Sequence, residues 1–62
     1  MEDQKNYLLE QYRLAISNFK VASREDEQWN ARKEMARIEW TAIELCGDEL
    51  TPQFEKMKDE IR

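Results

Sequence analysis

The chain has 62 residues, with 10 Lys or Arg against 14 Asp or Glu, no His, one Cys, one Gly and one Pro. That length holds one small domain. A net charge of −4, a pI near 4.8 and apolar runs no longer than three residues (Tyr7–Leu9 and Leu14–Ile16) exclude a polybasic nucleic-acid binder and a membrane-spanning segment.

From Asp3 to Ala22 no helix breaker occurs, and Leu8, Tyr12, Ala15, Phe19 and Ala22 recur at alternating steps of four and three. That spacing predicts a helix over about 3–22 with one continuous apolar face, widened by Leu9 and Ile16. A thinner stripe of Tyr7, Leu14 and Val21, at intervals of seven, runs on roughly the opposite side. Ser23-Arg24-Glu25-Asp26 then has the form of a helix start. Ser23 is the expected N-cap, and Glu25, Asp26 and Glu27 sit against the positive end of the new helix dipole.

The second helix is expected over about 24–46, with Gly47 just beyond it to supply the positive-φ residue that closes a helix. It carries two apolar faces. Ala31, Met35, Ile38, Ala42 and Leu45 form one; Trp29, Ala36, Trp40 and Ile43 form another, about 140° around the axis at 100° per residue. Arg32 and Glu39 lie between them. A third, short helix is expected over about 52–61, with Thr51 as N-cap and Pro52 in its first turn. There Phe54, Met57 and Ile61 share a face, and Lys56, Lys58 and Arg62 give a basic finish.

Two arrangements fit this pattern. One is a single rod from about 3 to 46, because the first rhythm continues through Asp26, Trp29, Lys33, Ala36, Trp40 and Ile43. The other is an antiparallel hairpin with Ala22 near Trp29, Ala15 near Ala36 and Tyr12 near Trp40. Asp26 and Lys33 at core positions of the rod, and the capping signal at Ser23, favour the hairpin.

The stretch Tyr12-x-x-Ala15-x-x-x-Phe19-x-x-Ala22-Ser23-Arg24, followed by a charged helix, resembles short uncharacterised helical-hairpin proteins of Bacillus-type bacteria. The resemblance covers about the first half of the chain. It implies a bacterial protein and carries over no functional residue.

Catalytic chemistry finds little to work with. Without His, the usual general base and metal ligand is missing, and Glu34, Glu39 and Glu44 lack the Glu-x-x-His pattern of di-metal bundles. Cys46 lies at the end of a helix beside Asp48 and Glu49, where dipole and charge both disfavour a thiolate. Nucleic-acid binding is equally unsupported: the net charge is 0 for residues 1–23, −2 for 24–46 and −2 for 47–62. No cofactor or metal is expected. The acidic opening Met1-Glu2-Asp3 is unlike a signal peptide, so a cytoplasmic protein with a reduced thiol is the expectation.

Nineteen large apolar side chains are more than a monomer of this size buries well. The expectation is therefore an all-α hairpin plus short C-terminal helix, dimerising into a four-helix bundle through Ala31, Met35, Ile38, Ala42 and Leu45. Functionally, that is a small non-enzymatic protein–protein interaction module that binds itself or a helical partner. The alternative is an accessory subunit of a larger enzyme or nucleic-acid complex whose active residues lie in the partner.

Overall fold

A computed structural model describes residues 2–61; Met1, and Arg62 of the expected basic finish, lie outside them. Three α-helices follow in order: α1 (Glu2–Val21), α2 (Glu25–Cys46) and α3 (Thr51–Lys58), the last ending in a 3₁₀ turn over Asp59–Ile61. The described residues form an all-α structure. α1 and α2 make the expected antiparallel hairpin, so the single rod is excluded.

The break between α1 and α2 spans only Ala22, Ser23 and Arg24. Arg24 is the N-cap, in extended backbone (φ −112°, ψ 148°) and without a side-chain cap, so Ser23 does not take the role expected of it. The local polar groups are met otherwise: the Asp26 carboxylate accepts the Glu27 N–H at 3.0 Å, and the Gln28 side-chain amide donates to the Ala22 carbonyl at 3.3 Å. At the far end of α2 the Gly47 N–H donates to the Ile43 carbonyl at 2.9 Å, and Gly47 takes φ 68° with ψ −141°. Its φ is positive as expected, although its ψ lies outside the left-handed helical region. Leu50, rather than Thr51, precedes α3 as its N-cap, and Pro52 falls in the first turn, where a missing N–H leaves no bond unmade.

The core is one cluster: Leu8, Tyr12, Ala15 and Ile16 from α1, Met35, Ile38 and Ala42 from α2, and Leu50 and Phe54 from the C-terminal segment. Leu9, Met57 and Ile61 pack at its edge. Eleven residues would not hold a helix alone in water. The C-terminal segment is ordered because Leu50 and Phe54 are each only 2% exposed, inserted against the hairpin. Ion pairs mark its position at three points: Lys5–Glu49 at 2.8 Å, Lys20–Glu60 at 2.7 Å and Lys58–Glu39 at 3.0 Å. Such pairs locate an element more than they stabilise it, because water and salt screen charges this close to the surface.

Two predictions follow from these contacts. Gly47→Ala places a Cβ in an unfavourable backbone region and should cost about 1 kcal/mol or more, lowering the thermal midpoint by about 4–8 °C in a circular-dichroism melt. The hydrogen bond from Lys20 holds the Glu60 carboxyl below the usual carboxylate range, helped by the charges of Lys20 and Arg13 and opposed by desolvation. A lowered pKa means this contact contributes fully above the ordinary carboxylate value and is lost as pH falls through the lowered one. In a carboxyl NMR titration, Lys20→Met should therefore return Glu60 upward to ordinary behaviour.

Candidate functional site

The second helix uses its two faces in the reverse of the expected way. Ala31, Met35, Ile38 and Ala42, expected to meet another chain, are buried within the chain, between 1% and 6% exposed. Only Leu45 of that set is open to solvent, at 53%. Trp29, Trp40 and Ile43, placed by expectation inside the hairpin, are 61%, 67% and 48% exposed, and Ala36 between them is exposed as well.

The lengthwise register of the hairpin lies within a residue of the expected one, although Trp29, Ala36 and Trp40 are exposed and do not fill the seam. Tyr12 reaches Glu39, one residue from the expected Trp40, and the Arg32 guanidinium lies 4.8 Å from the centre of the Phe19 ring. What differs is the rotation of α2 about its own axis. A three-residue turn holds the two helices close, and close approach needs small side chains at the crossing. Ala15 of α1 and Ala31 and Ala42 of α2 are buried at separate levels of the seam, beside Met35 and Ile38. Two indoles in that seam would force the helices apart.

The residues between the two faces complete the arrangement. Tyr12 is fully buried, its ring stacked on Phe54 with centroids 4.3 Å apart and planes inclined by 25°. Its hydroxyl donates to Glu39 Oε2 at 3.2 Å, while Lys58 Nζ donates to Oε1 of the same carboxylate at 3.0 Å. Beside Glu39 a cleft of about 400 Å³ opens, lined by Arg32, Met35, Ala36, Glu39, Lys58 and Ile61. Tyr12, Glu39 and Lys58 form a structural link, with both carboxylate oxygens engaged.

Among the described residues no group of three His, Cys, Asp or Glu could hold a metal ion, and no helix is long and apolar enough to cross a membrane. Cys46 is a free, partly buried thiol. What stands out is apolar surface. Among the described residues seven large hydrophobic side chains are exposed: Trp29, Trp40 and Ile43 on the outer side of α2, Tyr7, Leu14 and Val21 on the outer side of α1, and Leu45. A contiguous stripe with two tryptophans is the kind of surface that marks an interaction site.

Comparison with protein-family models, with curated proteins and with solved structures gives no match. The candidate site therefore stands on geometry alone: Trp29, Ala36, Trp40 and Ile43 on the solvent side of α2.

Exchange of the two faces is testable with a matched pair of variants. Ile38→Glu puts an unpaired charge into the core and should cost several kcal/mol, enough to abolish most helical signal in circular dichroism. Trp40→Glu, at an exposed site, should leave the helical signal within about 10% of the parent, since surface changes rarely exceed 0.5 kcal/mol.

Proposed function

We propose that this chain is a small non-enzymatic protein–protein interaction module that works by self-association, as a homodimer of helical hairpins. The observation that carries the proposal is the stripe of Trp29, Trp40 and Ile43, large apolar side chains held exposed on a rigid helix. Exposed tryptophans cost solubility and contribute nothing to the hairpin's own core, whereas buried at a protein interface they are the commonest source of binding energy.

Four long helices meet in such a dimer, but not as a square bundle. The stripe lies about 140° from the buried face of α2, so the second hairpin sits nearly opposite α1. The order across the assembly is α1, α2, then α2 and α1 of the second copy. Pairing through α2 leaves Tyr7, Leu14 and Val21 uncovered on α1. That leftover stripe favours a second role, as an accessory subunit of a larger enzyme or nucleic-acid complex whose active residues lie in the partner.

Light scattering on a sizing column, across a wide concentration range, tests the proposal. The expected mass is twice the 7.5 kDa of the chain. Each chain carries a net charge of −4, so an apolar contact between copies should tighten as salt screens their repulsion. Trp40→Glu should return the mass to that of one chain. A mass of 7.5 kDa at every concentration would overturn self-association.

A further inference from the structure

We infer that the cleft between α2 and the C-terminal segment is a binding site for a small aliphatic carboxylate, its head received by Arg32 and Lys58. Arg32, Met35, Ala36 and Glu39 form one wall, and Lys58 and Ile61 form the other. Of the exposed stripe on α2, only Ala36 takes part. A volume of about 400 Å³ falls in the range of small-molecule sites. Since an apolar cavity of roughly 150 Å³ holds benzene, this space takes a ligand of about a dozen non-hydrogen atoms.

The three polar side chains of the cleft are each positioned by a second contact. Glu39 accepts from Tyr12 on one oxygen and from Lys58 on the other, so its acceptor capacity is largely used within the chain. Lys58, which also lies 3.7 Å from Glu55, has three N–H groups to offer. The Arg32 guanidinium rests 4.8 Å from the centre of the Phe19 ring, and among the described residues it makes no ion pair. Its N–H donors form a fork that fits the two oxygens of a carboxylate. The capacity left over in the cleft is thus mainly that of donors, and the ligand must bring the acceptor.

Apolar wall decides the rest of the ligand. Met35, Ala36 and Ile61 offer an alkyl chain a surface to lie along. An ammonium ligand would meet two cations and a carboxylate already answered. A doubly charged phosphate would gain from the cations but would face Glu39 and Glu55 and leave the apolar wall wet. A singly charged head on a short alkyl chain meets every group present.

Titration of the full chain with octanoate, below its micellar range and at constant ionic strength, tests the site by NMR. The methyl groups of Met35 and Ile61 should shift saturably, with a dissociation constant on the order of millimolar for a ligand of this size. Arg32 is exposed, so Arg32→Gln keeps the fold, and it should weaken binding on the order of tenfold. Octylammonium should bind more weakly still. The same titration of Trp40→Glu should give the parent's constant, which separates this site from self-association. Shifts centred on Trp29 and Trp40, or equal in Arg32→Gln, would mean adsorption to the apolar stripe and would overturn the site. So would the absence of saturable shifts at tens of millimolar octanoate.

Discussion

Tyr12 holds α3 with its face and α2 with its tip. Its ring stacks on Phe54, and its hydroxyl, fully enclosed, donates to Glu39. A buried hydroxyl without an acceptor costs about 1–3 kcal/mol, so the position of this one constrains its neighbours. Glu39 is held toward α1 at the boundary between the two apolar faces of α2, with Met35 and Ala42 about 40–60° to one side and Ile43 and Ala36 about 40–60° to the other. The carboxylate drawn into this part-buried place is answered in turn by Lys58, which ties α3 to α2. One phenol thus joins α1, α2 and the C-terminal helix at a single point.

Sequence pattern captured the parts that depend on chain-local periodicity. α1 and α2 lie within a residue of the bounds that spacing predicts, Gly47 has a positive φ, and Phe54, Met57 and Ile61 share the face that docks. Even the register of the hairpin was legible, because a short turn after Val21 leaves little freedom in how far one helix slides past the other. Rotation of α2 was not. Its two faces are similarly apolar, so hydrophobicity gives no preference, and the larger residues suggested a core for Trp29 and Trp40. Side-chain size carried part of the missing signal: Ala31 and Ala42, buried on the inner face, need less room beside α1 than two indoles would.

The caps show the same limit on a smaller scale. Ser23 and Thr51 have the chemistry of N-caps, yet Arg24 and Leu50 occupy those positions. In both turns the chain's path is set by tertiary demands. Leu50 is drawn into the core, and the break before α2 is kept short enough to hold its small residues against α1. A cap contributes about 1 kcal/mol, and burying a Leu contributes more. Where the two compete, burial decides and the cap is forgone.

Size links this fold to its proposed use. A three-helix chain of 62 residues encloses one core, and α2 has two apolar faces. The face of Ala31, Met35, Ile38 and Ala42 closes against α1. The short C-terminal helix is consumed in covering Tyr12 and cannot also reach Trp29 and Trp40, which lie on the far side of α2. The tryptophans are therefore displayed as a geometric consequence of how the core is sealed, on a helix rigid enough to present them in a fixed spacing.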